Sequence, residues 1–278
     1  MEAPENGKTM GHDSPKSICQ APRFRNANSD FRILYLYYDL MNLYGDWANA
    51  SVLARELNSR GYPASVLKKS AGDEIDFGEI DFIYIGSGTE RSQNACMSYM
   101  AKYKDAMLAR IEAGIPVLAT GNSHELFGRA VTGPDGKRYE ALGLLDFETV
   151  QGKTRVTGDC VVSATFLHDK LIGFINRAGE GQEGAIERPF RNELGPGANA
   201  TSKDEGIRYK NLLGTYLTGP ILVRNPPMLR YFADLLIGAP STPDPVSRIA
   251  DARREDPFFE YQEVAYRMSL AELSARIG

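Results

Sequence analysis

Gly114-Ile115-Pro116-Val117-Leu118-Ala119-Thr120-Gly121-Asn122-Ser123-His124-Glu125-Leu126-Phe127-Gly128 is the stretch on which the fold turns. Its apolar run, bounded by Gly and Pro, reads as a short buried strand. Thr120-Gly121-Asn122 then signals a sharp turn, and Ser123 to Phe127 opens a helix. Strand, sharp turn and helix start in that order is how α/β proteins hold a nucleophile at the end of a sheet strand. Gly121 stands at the apex of the turn.

The flanking sequence repeats the same plan. Ile33 to Tyr38 is β-branched and aromatic, as a buried strand requires. Asp46 offers an N-cap for a helix that carries Val52, Leu53 and Leu57 on one face and stops at Gly61. Asp81 to Ile85 is a second buried strand, followed by Gly86-Ser87-Gly88 and a helix running to about Ala113. Strand-loop-helix units in series predict a mostly parallel sheet covered on both faces, with ligands at the carboxyl ends of its strands, where Gly88 and Gly121 fall. From about Gly133 to Gly206 the strands become polar. Thr154 to Ser163 and Leu171 to Ile175 read as antiparallel partners, and Asn192 to Asp204 as an exposed loop. Pro226 and Pro227 start a helix holding Leu229, Phe232, Leu235 and Leu236.

The ends read differently. Residues 1 to about 30 are polar and aperiodic, a disordered tail. The domain is expected over 31–238. Residues 239–278 are read as a Pro-rich linker, Ala239 to Pro245, and a C-terminal amphipathic helix whose apolar side holds Val264, Met268, Leu270, Leu273 and Ile277.

Composition excludes several function classes. The 278 residues carry a formal net charge of -4, without the basic runs of a nucleic-acid groove. No stretch reaches the roughly 18 apolar residues of a membrane span, and no signal peptide is visible, so the expected location is the cytoplasm. Three cysteines, Cys19, Cys96 and Cys160, are too few and too scattered for a disulfide framework or zinc site, and no metal or cofactor is expected.

Four segments carry a family resemblance: Tyr38 to Asp46; Ile85-Gly86-Ser87-Gly88-Thr89-Glu90-Arg91-Ser92-Gln93; Tyr139 to Phe147 with Thr157-Gly158-Asp159; and Glu205-Gly206-Ile207-Arg208-Tyr209 through Pro220. From about Ile33 to Leu236 the chain resembles the glutaminase subunit of lipid II isoglutaminyl synthase, GatD type, among the CobB/CobQ-like class I glutamine amidotransferases. The resemblance implies an α/β fold, a three-layer, flavodoxin-like domain with a mostly parallel central sheet. It also implies a Mur-ligase-type (MurT-like) partner and amidation of the lipid II stem peptide with ammonia from glutamine.

Such enzymes hydrolyse glutamine with a Cys thiolate and a His that moves the proton. Gly121 stands where the family has that Cys, and Thr218 where it has that His. Glycine offers no nucleophile, and a Thr hydroxyl does not titrate near neutral pH. The resemblance therefore implies no catalytic residues. It assigns substrate contacts to Gly86, Gly88, Arg91, Gln93, Asn122 and Asn176. Glu90 and Ser92 depart from the family's Asp and Glu, and Glu180 stands for an Arg implicated in substrate binding. Ser123 and His124 are adjacent on one helix and cannot face each other as a nucleophile-base pair. Cys96, in a helix, and Cys160, in a strand, read as buried apolar residues; His168 sits in a turn and His12 in the tail. No Walker motif is present, so ATP-dependent ligation falls to a partner. Three roles follow: a degenerate GatD-like scaffold or regulator; a synthase subunit whose ligase takes ammonia from elsewhere; or a small-molecule-binding protein that reuses the empty pocket, glutamine being one candidate ligand.

Overall fold

Alternation of side chains along the first strand sets the layers. In β1 (Phe31–Leu36), Phe31, Ile33 and Tyr35 enter one apolar cluster while Leu34 and Leu36 enter another on the opposite face. A strand buried on both faces belongs at the centre of a sheet with helices above and below. The computed structural model describes residues 30–181, 184, 186–238 and 256–277. The expected tail, with His12 and Cys19, and the linker lie outside them.

The chain continues through α1 (Trp47–Ser59), β2 (Ala64–Lys69), β3 (Phe82–Ile85), α2 (Glu90–Met100), α3 (Lys104–Glu112), β4 (Val117–Thr120), β5 (Ala130–Thr132) and β6 (Arg138–Glu140). Next come β7 (Glu148–Ala164), β8 (Leu171–Gly181), β9 (Phe190–Leu194), β10 (Asp204–Glu205), β11 (Ile207–Tyr209), β12 (Leu212–Thr215) and β13 (Leu217–Thr218). Three helices follow: α4 (Ile221–Arg224), α5 (Pro226–Ile237) and α6 (Pro257–Ser274).

The central sheet has the order β11-β12-β4-β3-β1-β2, parallel except for β11. Its parallel strands follow the flavodoxin order, which reverses direction between β1 and β3 and opens a crevice at their carboxyl ends. Leu53 and Leu57 of α1 and Phe232 of α5 cover one face; Cys96 and Met97 of α2 and Ile111 of α3 cover the other. The expected fold class is present. A second sheet, β10-β9-β7-β5-β6 with β8 on β7 and β13 on β8, packs beside it.

Four local expectations are corrected. The helix after Gly88 is two helices joined by a 3-10 turn at Ala101–Tyr103. There Tyr103 leans onto the preceding loop, its hydroxyl accepting from Ile75 N at 3.1 Å and its ring centroid 5.6 Å from that of Phe77. The segment after Gly121 is a 3-10 helix, Gly121–Phe127. Ser123 Oγ donates to Thr120 O at 2.8 Å and His124 Nδ1 to Gly121 O at 2.7 Å, side-chain bonds that compete with α-helical pairing. Asn192 to Asp204 is no free loop, because both ends pair: β9 lies on β7 and β10 on β9, with Phe190 and Asn192 buried. Finally, α6 buries Phe259, Gln262, Tyr266 and Leu273 and leaves Val264 and Met268 exposed, while Ile277 lies past its end and is exposed too. Arg55 holds Asp256 with two bonds of 2.6 Å, and Tyr266 OH donates to Lys170 O at 2.5 Å, which fixes the helix's rotation.

Candidate functional site

Loops after β1, β3, β4 and β12 meet at the crevice, and their glycines let them meet closely. A Cβ on Gly86 would lie 2.4 Å from Met41 O and 2.6 Å from Asp46 Cβ. Leu43 N then donates to Ser87 O at 3.0 Å. Gly121 has φ +63, the left-handed region, and a Cβ there would lie 2.4 Å from Ser87 Cβ and 3.3 Å from Thr218 Cγ2. Positions 121 and 218 are thus neighbours, and the space above Gly121 is filled by Ser87.

Ser87 is held by Asp46. Its Oγ donates to Asp46 Oδ2 at 2.7 Å, and the same carboxylate accepts from Tyr84 OH at 3.1 Å, Thr120 Oγ1 at 3.3 Å and Tyr44 N at 3.2 Å. Asp46 stands at the N-cap position of α1 as expected, but its buried side chain makes no bond to the helix and is instead the hub of the crevice. Asn49 Nδ2 donates to Tyr84 OH at 2.7 Å, which leaves no hydroxyl of the cluster unpaired.

The polar groups assigned to substrate bond one another. Gly88 N donates to Asn122 Oδ1 at 3.0 Å, and Asn122 Nδ2 returns a bond to Gly88 O at 2.9 Å. Gln93, buried at the start of α2, donates through Nε2 to Asn122 O at 2.8 Å and Glu125 Oε2 at 2.6 Å, and accepts from Gln151 Nε2 at 2.9 Å. Tyr216 OH donates to the other oxygen of Glu125 at 2.8 Å. Thr218 Oγ1 donates to Phe174 O at 2.8 Å. Asn176 lies on the rim: its Nδ2 donates to Tyr44 OH at 2.8 Å and its Oδ1 accepts from Arg155 Nε at 2.5 Å, while Arg155 also pairs with Glu90. Arg91 is exposed on α2, apart from this set. Glu180, on β8, has an oxygen 3.7 Å from Arg177 Nη1.

Burial sets the protonation of the titratable groups around the site. Burial pushes the thiols of Cys96 and Cys160 up to about 12, so neither is a thiolate near neutral pH. Burial lowers His124 to about 4 against its bond to Gly121 O, leaving a neutral ring at pH 7. That ring packs edge-on to Tyr216 with centroids 4.2 Å apart, beneath the turn. Glu125 and Glu205 are raised to about 7, chiefly by burial. Among the described residues no three His, Cys, Asp or Glu side chains cluster as metal ligands, and no helix is long and apolar enough to cross a membrane.

Sequence reading passed over Asp46, Ser87, Glu125 and Tyr216 as members of the site. Two signals existed: Tyr84, inside the apolar run Phe82 to Ile85 and bonded to Asp46, and Glu125, beside the apolar pair Leu126-Phe127. Each is a polar group on a buried surface, which obliges a hydrogen-bond partner nearby.

The profile of the CobB/CobQ-like glutamine amidotransferase domain matches residues 32–226. The GatD subunit of lipid II isoglutaminyl synthase (glutamine-hydrolyzing) from Staphylococcus aureus (strain N315) is 36% identical over 202 residues, 70% of this chain and 80% of that protein. The corresponding subunit from Streptococcus pneumoniae (strain ATCC BAA-255 / R6) is 30% identical over 195 residues, 69% and 75% of the two chains. A crystal structure of a glutamine amidotransferase superposes with a TM-score of 0.50 at 16% identity, covering 73% of this chain and 98% of that one, a likeness of fold alone. With its flavodoxin-order sheet, its crowded crevice and these two relatives, the chain belongs to the CobB/CobQ-like glutamine amidotransferase family and is of the GatD type.

Proposed function

We propose that this protein is a GatD-like subunit of a lipid II isoglutaminyl synthase-like complex in peptidoglycan synthesis, that it works in the cytoplasm with a Mur-ligase-type partner, and that it does not hydrolyse glutamine itself. Likeness to the two GatD subunits supports the complex. One observation carries the loss of hydrolysis: Ser87 fills the volume that a side chain at Gly121 would need. A glutaminase requires a nucleophile at the elbow, a proton carrier beside it and free N–H groups for the oxyanion. Here position 121 is glycine and position 218 is a threonine whose hydroxyl is bound to Phe174 O, while Gly88 N is bound to Asn122. Substrate would have to break each of these bonds to be held.

In this reading the glutaminase domain survives as a structural part of the synthase, and the ligase takes ammonia from solution or from another chain. The competing reading, a pocket reused for a small molecule, requires polar groups open to a ligand; the mutual pairing of Gly88, Asn122, Gln93 and Glu125 speaks against it.

The test is co-purification with the Mur-ligase-like protein of the same source, followed by lipid II amidation with glutamine or ammonium as nitrogen donor. A stable complex active with ammonium alone is expected. Glutamine-dependent amidation that persists in a C96A/C160A variant would overturn the loss of hydrolysis. Failure to bind the ligase would overturn the subunit role.

A further inference from the structure

Helix α6 has two apolar faces, and the described residues of the domain cover one of them. Phe259, Gln262, Tyr266 and Leu273 are buried against the domain. On the other side Tyr261 is 72% exposed, Val264 41% and Met268 69%, and the exposed Ala271 and Ala275 continue the row. Spacings of three, four, three and four residues are those of an a/d seam in a two-stranded coiled coil. The helix lies beyond residue 226, where the family profile ends, so the family match includes no part of it.

Charges beside the seam select the occupant. With Tyr261 at a, Arg267 takes a g position and Glu272 the e position five residues later. In a parallel pair those two positions meet across the interface. Neither side chain has an ion-pair partner among the described residues. Their match is with a second copy of the same helix. An antiparallel pair aligned to bury Met268 and Ala271 would instead set Arg267 against Arg267 or Ser274 of the partner subunit, and the complementarity would be lost.

We propose that α6 is a self-association element: two copies of the chain pair this helix in parallel, with Tyr261, Val264 and Met268 in the seam and Arg267 against Glu272 of the partner subunit. The seam is two heptads long, less than the roughly 800 Å2 per partner of a standard stable interface, so association in the micromolar range is expected. This inference does not depend on the synthase reading.

Sedimentation velocity of the full chain, from about 1 to about 200 µM, tests it. A monomer-dimer equilibrium is expected. Met268→Glu and Arg267→Glu should each weaken it by about tenfold or more, and R267E/E272R should restore the dimer that R267E loses. All three changes are on exposed positions, and unchanged thermal unfolding of each variant at low concentration confirms an intact fold. A chain that is monomeric throughout, a dimer indifferent to M268E, or a charge swap that restores nothing would overturn the proposal.

Discussion

Ser87 and a side chain at position 121 exclude each other: the Cβ that Gly121 lacks would lie 2.4 Å from Ser87 Cβ. Gly121→Cys should therefore destabilise the chain by about 1–3 kcal/mol through overpacking, beyond the roughly 1 kcal/mol of a non-glycine residue at φ +63. S87G/G121C, compared with S87G alone so that the lost bond from Ser87 Oγ to Asp46 cancels, should recover the overpacking share and leave the backbone share. Chemical denaturation of the four proteins separates these contributions. A G121C variant as stable as wild type would show that the crevice has room for a nucleophile after all.

Asp46 is the acceptor on which three hydroxyls converge, from Tyr84, Ser87 and Thr120. Asp46→Ala strands Ser87 and one of the pair Tyr84 and Thr120, whose hydroxyls also bond each other at 2.8 Å, and should cost roughly 3 kcal/mol; Asp46→Asn keeps one acceptor oxygen and should cost about half as much. Urea unfolding orders the two. Equal losses would mean that the carboxylate contributes by volume and not by accepting bonds.

The sheet was legible because its central strands are continuous apolar runs bounded by Gly and Pro, a pattern set by burial on both faces. Its order was not, since strand neighbours such as β12 and β4 are chosen by contacts remote in sequence. Gly121 and Thr218 could be singled out one at a time, but their adjacency depends on that pairing. Ser87 was named only as part of the Gly86-Ser87-Gly88 loop, and only the meeting of two loops shows that it occupies the space over Gly121. The C-terminal helix was legible as a helix, but its inward face was not. The Arg55 to Asp256 pair that helps set its rotation joins residues far apart in sequence. Apolar periodicity with two candidate faces cannot choose between them.

Asn225 ties the α4–α5 junction to β8 as a strand would. Its Oδ1 accepts from Ile172 N at 2.7 Å, and its Nδ2 donates to Ile172 O and Ile221 O, each at 2.8 Å. Asn225→Ala should lose roughly 3 kcal/mol by orphaning buried backbone groups. Asn225→Asp should lose at least as much at neutral pH, because a carboxylate would face two carbonyl oxygens, and should regain part of it in acid, where the protonated form can donate. Unfolding at about pH 4.5 and about pH 7.5 checks this. A loss for N225D that does not vary with pH would sink the account.

Glu125 makes stability depend on pH in a direction that can be worked out. Burial raises its carboxyl to about 7, opposed by the bonds from Gln93 and Tyr216, with the Glu90 charge adding to the rise. The folded chain therefore binds the proton more tightly than the unfolded chain does, and this group's contribution falls as pH rises from the ordinary carboxylate range through about 7. Glu205, also raised to about 7 by burial, acts in the same sense. His124, lowered to about 4, acts oppositely: its contribution is lost as pH falls below about 6.5, the ordinary histidine value. Above about pH 6.5 only the carboxylates remain, and stability should decline toward pH 8. Glu125→Gln removes one titrating group, so between about pH 5.5 and about pH 8 it should lose about 2 kcal/mol less than wild type, the linkage for 1.5 pH units at 1.36 kcal/mol each. Urea denaturation at the two pH values measures the difference. Parallel profiles for E125Q and wild type would mean that Glu125 keeps one protonation state across that range, and that the joint beneath Gly121 is held by a fixed charge or a fixed acid.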